Sequence, residues 1–287
     1  MYFDKARMER TSLDNSTVTN GLLVVEMLSG KVQVGDNTFT NQGNYDEKRE
    51  GPAEINLIGD PGNWLTYARL NPYASLNLDK RASNRVGQSV DQELTEDKGI
   101  QKASLAGQQS IGYYDEVLGH NIPKVFWEFL NQSGIVYSSE SGNYVQGQLI
   151  NRLTDAGYPV TEPYWVRQRV GGVEKEVMFQ AFQRRTLTFT PDNASAFQVE
   201  MGNVGRHYVI WRYGYDFGPN LSWSAPGTST PVAVSHGRLI TFSGIGEPVF
   251  NGEYYGYDSF IWLIISVQPI SSAWDYFVPL RGCSFWV

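Results

Sequence analysis

Apolar and polar positions change their period several times along this chain, and each change marks an element. Tyr164-Trp-Val-Arg-Gln-Arg-Val170 alternates, Gly171-Gly172 supplies a turn, and Glu176-Val-Met-Phe-Gln-Ala-Phe182 returns. That pattern predicts a β-hairpin. Arg185–Thr190 continues as a further strand, with Leu187 and Phe189 on one face and Thr186, Thr188 and Thr190 on the other, stopped by Pro191-Asp-Asn193. Phe197, Val199, Met201 and Val204 suggest a short helix, weakened by Gly202 and Gly205. Upstream, Val125, Phe126, Phe129 and Leu130 form one apolar face of a short helix that starts after Ile122-Pro123 and ends at Ser133-Gly134. Leu149–Leu153 predicts another, closed by Gly157 and Pro159.

The first third is less regular. Residues 2–9 alternate as a strand, and Thr19-Asn20 precedes a helix over Gly21–Leu28 that ends at Gly30. Lys31–Gly35 reads as a strand leading into a polar loop to about residue 52. Ile55–Ile58 predicts a short strand before Gly59-Asp-Pro-Gly62, a turn by its chemistry. Asn77–Lys102 is polar and charged and reads as a solvated loop, or as an exposed strand around Val86–Leu94. After Gly214 the texture changes. Gly, Ser and Pro rise over 218–231, followed by strands at Val232–Ser235, Arg238–Phe242, Phe260–Val267 and Trp274–Leu280. Phe260–Val267 falls far short of the roughly 20 apolar residues of a membrane-spanning helix.

The chain also echoes itself. Tyr2–Glu9 is similar to Ala181–Thr188, and Val25–Gly30 to Val199–Val204. Repeated segments stack or pair to complete a common core. The expected fold is α+β, mainly β, with tandem hairpin-plus-short-helix repeats and a β-rich C-terminal segment. The expected segments are 1–115, a partial repeat with an irregular extension; 116–215, a complete repeat; and 216–287, the β-rich end.

Composition narrows the chemistry. With 287 residues, 41% of them hydrophobic, the chain can bury a sizeable core. The net charge of −7 and basic runs no longer than pairs such as Lys80-Arg81 and Arg184-Arg185 argue against a nucleic-acid partner. A single cysteine, Cys283, set among apolar residues, excludes an intrachain disulfide and reads as buried and inert. His120, His207 and His236 lie far apart, with no zinc-ligand spacing, so neither a metal nor a cofactor is expected. There is no Gly-x-Ser-x-Gly elbow, and Gly202-Asn-Val-Gly205 lacks the Lys-Ser/Thr ending of a phosphate loop. Met1–Arg7 has no apolar leader and opens on what reads as the middle of a repeat. An upstream segment, carrying an export signal, is therefore expected.

No catalytic residue is assigned. Tyr113-Tyr-Asp-Glu116 with His120 is the one place where carboxylates and a histidine lie close in sequence, but adjacent acids diverge in a strand, and a polar turn fits better. The candidate ligand-binding residues are Glu162, Tyr164, Trp165, Arg184, Arg185, Tyr208 and Trp211. Glu162 can accept from a sugar hydroxyl or cap a turn. Arg184 and Arg185 can anchor a carboxylate or pair with Glu162, Glu174 or Glu200. The aromatic residues can stack on a sugar ring or pack in the core.

Phe126-Trp127, Gly157-Tyr-Pro-Val-Thr-Glu162, Gln180-Ala-Phe-Gln-Arg-Arg185 and Gly202-Asn-Val-Gly205 together resemble a repeat common in bacterial secreted and cell-surface proteins, similar to the LGFP repeat of cell-wall-associated proteins. Ala156-Gly-Tyr-Pro159 stands where that repeat has Leu-Gly-Phe-Pro. The resemblance covers residues 120–213 and part of 2–35. It implies a non-catalytic extracellular or cell-surface module that binds wall polysaccharide or a partner protein, and carries no catalytic residues. A glycoside hydrolase using loop carboxylates, and a structural subunit that forms oligomers through the C-terminal strands, are the alternatives. No membrane span is expected.

Overall fold

The computed structural model describes residues 2–10, 18–35, 38–41, 49–138 and 140–214, and the backbone of strands at 237–243, 249–257, 260–267 and 274–280. These residues are β-rich with few helices, an α+β arrangement that is mainly β. They fall into two compact units, residues 1–218 and 219–287. The expected segments 1–115 and 116–215 lie in the same unit, because a strand near residue 93 joins the sheet of the later hairpin.

In chain order the first unit contains β1 (Tyr2–Phe3), β2 (Ala6–Arg10), β3 (Val18–Asn20), α1 (Leu23–Ser29), β4 (Val32–Gly35), β5 (Thr38–Thr40) and α2 (Tyr67–Leu70). There follow β6 (Gln92–Thr95), β7 (Gly99–Lys102), β8 (Ile111–Asp115), β9 (His120–Pro123), α3 (Lys124–Leu130), β10 (Ser133–Ser138) and β11 (Asn143–Gln148). The unit closes with β12 (Tyr164–Val170), β13 (Val173–Ala181), β14 (Thr186–Phe189), β15 (Val199–Met201) and α4 (Val204–Tyr213). Its central sheet has the order β15-β14-β13-β12-β6-β7. Neighbours are antiparallel except β12 and β6, which run parallel and meet at Trp165 and Glu93.

The hairpin β12–β13 explains where the core sits. Strands pleat with period two, so a hairpin buried on both faces needs apolar residues at both parities. Tyr164, Val166, Val177, Phe179 and Ala181 face one cluster with Leu23, Met27 and Leu28 of α1, Tyr67 and Leu70 of α2, and Val204, Tyr208 and Trp211 of α4. Trp165, Met178 and Phe182 face a second, with Ile122, Phe126 and Leu130 around α3 and with Leu187 and Phe189 of β14. Each large side chain buried in this way contributes roughly 1.5–3 kcal/mol.

The β12–β13 turn is two residues, Gly171 (φ 63°) and Gly172 (φ 80°), both left-handed as a type I′ turn requires. The Asp60 carboxylate accepts from both glycine N–H groups, at 2.8 and 2.6 Å, and those bonds hold its pKa below the ordinary value. Sequence-distant Asp60-Pro61 therefore pins the tip of the central hairpin.

A charge is buried where α1 meets α4. Glu26 is fully buried, and its oxygens accept from Arg7 Nη2 at 2.6 Å and the Tyr208 hydroxyl at 2.5 Å. Arg7 also donates to Glu9, and Arg212 donates to the Tyr208 oxygen at 3.0 Å. Burial disfavours the Arg7 charge, but Glu26 outweighs it and raises the guanidinium pKa. Burial, then Glu26, raises that of the Tyr208 phenol.

Several expected elements differ. The strand over 2–9 is broken by a tight turn at Asp4-Lys5. Helix α1 ends at Gly30, in the left-handed conformation, but Leu22 precedes it with no side-chain cap, so Thr19-Asn20 belongs to β3. Ile55–Ile58 forms only an isolated bridge at Asn56, and Leu149–Leu153 gives way to a π-helical turn at Arg152–Ala156. Phe197, Val199, Met201 and Val204 do not share a helix. Ser195–Phe197 is a single 3-10 turn, Val199–Met201 pairs with β14, and α4 starts at Val204. The echo of Val25–Gly30 with Val199–Val204 is overturned for the same reason, since the first lies in a helix and the second begins in a strand.

The second unit is an antiparallel meander of β16 (Gly237–Ser243), β17 (Val249–Tyr257), β18 (Phe260–Val267) and β19 (Trp274–Leu280), paired in that order. Strand β17 was not expected. Val232–Ser235, His236 and Cys283 lie outside the described residues.

Gly171→Ala and Gly172→Ala are each expected to lower the unfolding free energy by about 1–2 kcal/mol, the cost of a left-handed non-glycine residue. Urea denaturation measures this. Asp60→Asn should make stability less sensitive to acid, because a carboxyl with a depressed folded-state pKa stabilises at neutral pH and loses that contribution as pH falls through it. Glu26→Gln is expected to cost about 1–3 kcal/mol, because Arg7 and Tyr208 lose a charged acceptor while Arg7 keeps only the Glu9 carboxylate, and Arg7→Met with Glu26→Leu less than that.

Candidate functional site

Most predicted ligand-binding residues are committed to the interior. Tyr164 and Trp165 are 4% and 2% exposed. Tyr164 packs on Tyr73 and Phe179, and Trp165 Nε1 donates to the Val90 carbonyl at 3.1 Å. Tyr208 and Trp211 meet edge to face, 5.4 Å apart, and Trp211 Nε1 donates to the Gly51 carbonyl. None of these four rings offers a free stacking face. Burial, with Glu162 nearby, raises the Tyr164 pKa.

Arg184 and Arg185 hold the chain together. Arg184 donates to the carbonyls of Asn20 and Leu153, and Arg185 donates to Asn20 Oδ1 at 3.1 Å. Their partners are carbonyls and an amide in place of the expected glutamates. Burial lowers the pKa of both.

Glu162 sits in a polar clasp that the sequence did not assemble. It accepts from the backbone N–H of Asn121 and from Asn121 Nδ2, both at 2.9 Å, and lies 3.2 Å from His120 Nδ1. Gln180 Nε2, fully buried, donates to the Asn121 and Thr161 carbonyls. Asp115 opens the turn before His120, accepting from the Val117 and Leu118 N–H groups, with Arg152 at 3.5 Å. His120 is 1% exposed, and its Nε2 has no hydrogen-bond partner among the described residues. The clasp thus brings Glu162, His120 and Asp115 into one neighbourhood, but their oxygens are spent on turns and on Asn121. Asp115 and Glu116 diverge as their adjacency predicts, Asp115 buried and Glu116 exposed. Among the described residues, no group of three or more His, Cys, Asp or Glu side chains could hold a metal ion.

The most accessible chemistry lies on a hairpin the sequence analysis missed. Strands β10 and β11 pair only with each other among the described strands. Ile135, Tyr137 and Tyr144 are 66%, 61% and 76% exposed. Tyr137 and Tyr144 oppose each other in register, with centroids 5.6 Å apart and ring planes at 69°. On the other face Val136 covers Gly147, and Leu149 covers Gly134. From Ser133 to Gln148 the only charged residue is Glu140. The available signal was the turn cluster Ser138–Asn143 between two short runs of β-branched and aromatic residues, Ile135–Tyr137 and Tyr144–Val145. Ser133-Gly134 was instead read as a helix stop. At the base of the ribbon, Tyr113 stacks on Trp127 at 3.8 Å, and the Arg152 guanidinium lies over Trp127 and Tyr158.

With this geometry in view, comparison with known proteins adds no relative: no protein-family model, curated protein or solved structure matches the chain. Among the described residues, no helix is long and apolar enough to cross a membrane.

Glu162→Ala is expected to destabilise by about 1–3 kcal/mol, because two Asn121 donors lose their acceptor in a buried setting. Paired with Asn121→Ala it should be markedly non-additive in a thermal-denaturation cycle.

Proposed function

We propose that this chain is a non-catalytic extracellular or cell-surface module that binds a neutral polysaccharide through the β10–β11 ribbon. The observation that carries this reading is the exposed Tyr137–Tyr144 pair on a ribbon nearly free of charge. Large apolar groups clustered in solvent mark contact surfaces. Tyrosine suits such surfaces, with an apolar ring, a polar tip and few rotatable bonds. Gln146, Gln148 and Ser133 share that face and add uncharged donors and acceptors beside the rings. A neutral ligand with hydroxyl groups and apolar ring faces matches that set, and an anionic polymer does not.

A hydrolytic reading has less support. The carboxylates nearest to acid–base geometry, Asp115 and Glu162, are occupied by backbone N–H groups, Asn121 and His120. Assembly through the second unit is the other reading, favoured by the two outer strands of its meander, β16 and β19. Pro279 removes one N–H from β19, which weakens that edge as a template for pairing.

Binding to insoluble glucan, chitin and peptidoglycan, followed by titration with soluble fragments, tests the proposal. Tyr144→Ala and Tyr137→Ala are each expected to weaken binding about tenfold, equivalent to ~1.4 kcal/mol, with an unchanged denaturation midpoint. Wild-type binding by both variants, or no binding to any neutral glycan, overturns it.

A further inference from the structure

We infer that residues 2–10 with 18–30, and residues 181–189 with 199–214, are two copies of one self-complementary motif, whose partner is a second copy of itself supplied by the same chain. The motif is a strand end, a two-residue turn, an antiparallel strand pair, a glycine and a helix. In the first copy Phe3 pairs with Ala6 across the turn Asp4-Lys5, and in the second Phe182 N–H donates to the Arg185 carbonyl across Gln183-Arg184. Met8 then pairs with Asn20 and Arg10 with Val18, as Leu187 pairs with Met201 and Phe189 with Val199. The Gly21 N–H closes on the Arg7 carbonyl at 2.7 Å, and the Gly202 N–H on the Thr186 carbonyl at 3.0 Å. Each helix starts two residues after its glycine and ends at a left-handed glycine, Gly30 or Gly214.

The correspondence replaces the overturned echo. Val18-Thr-Asn-Gly21, not Val25–Gly30, is the counterpart of Val199-Glu-Met-Gly202. Leu23, Met27 and Leu28 of α1 occupy the places of Val204, Tyr208 and Val209 of α4, and all are buried.

The contacts between the copies are reciprocal, the signature of an isologous interface. The third N–H of a helix has no partner within the helix. Here each is taken by the other copy's turn: Arg206 N–H donates to the Asp4 carbonyl at 3.0 Å, and Val25 N–H to the Gln183 carbonyl at 3.4 Å. The turn cations are exchanged in the same way. Lys5 Nζ donates to the Met201 carbonyl at 2.6 Å, and Arg184 Nη1 donates to the Asn20 carbonyl. Independent docking of unrelated segments gives no reason for both exchanges to recur at matched positions. The copies differ at one point of closest approach. Gly205, where α1 has Val24, lies directly on the backbone of Phe3 and Ala6.

Native-state hydrogen exchange on the full chain tests the inference. Lys5→Ala is expected to lower the protection of both the Val25 and Arg206 amides by about tenfold, and Arg184→Ala to do the same, because each loosens one shared interface. If either variant deprotects one amide and leaves the other unchanged, the proposal is overturned. Should an alanine variant not fold, Lys5→Arg and Arg184→Lys carry the test, since each installs the cation of the other copy. Wild-type protection in both supports equivalence, and loss in either overturns it. In an experimental structure, a rotation near a half-turn must superpose residues 2–10 and 18–29 on 181–189 and 199–210, and one far from a half-turn is decisive against it.

Discussion

The hairpin β12–β13 is apolar at both parities, and that constraint organises the first unit. A ribbon with one apolar face needs a single covering layer, whereas this one needs two. One layer comes from both ends of the unit, α1 near the start and α4 near the end, with α2 between them. The other comes from α3 and β8–β9, over a face that β14 extends within the same sheet. The hairpin tip is set by two glycines and by Asp60, distant in sequence, so the element that defines the core is itself held by a loop from the first third of the chain.

Closing the α1–α4 layer forces a charge indoors. Glu26 points into the seam and is tolerated because Arg7 and Tyr208 both reach it. A buried ion pair is weak evidence for stability; here it ties α1 to β2, and any other placement of α4 takes the Tyr208 hydroxyl away from the buried Glu26 carboxylate. Arg7 comes from β2 and Tyr208 from α4, so the network joins the N-terminal hairpin to the helix that docks on it.

What the sequence revealed followed from how local each signal was. Gly171-Gly172 between two runs rich in β-branched and aromatic residues marked β12–β13, Gly30 marked the end of α1, and Ile122-Pro123 with Phe126 and Leu130 marked α3. Each of these depends on a few adjacent residues. Val199-Glu-Met201 failed because apolar residues at that spacing suit a strand or a helical turn, and only pairing with β14 decides between them. The candidate site failed for a related reason. Tyr164, Trp165, Tyr208 and Trp211 carry no mark of which ring is covered, since cover comes from elements far away in sequence. Tyr137 and Tyr144 are the reverse case, aromatic residues left in solvent on a ribbon face that none of the described residues covers.

These two outcomes are linked. Helix N-termini and turn cations are the groups a protein most readily offers to a ligand. In this unit the third N–H of α1 and of α4, and the Lys5 and Arg184 cations, are taken up by backbone carbonyls across the seam. Glu162 and Asp115 are consumed in the same sense by the turns they fasten. The two copies we infer are thereby saturated as structure, and the recognition surface we propose lies outside them. The β10–β11 ribbon meets that requirement, with its rings uncovered and its outer edges unpaired among the described strands.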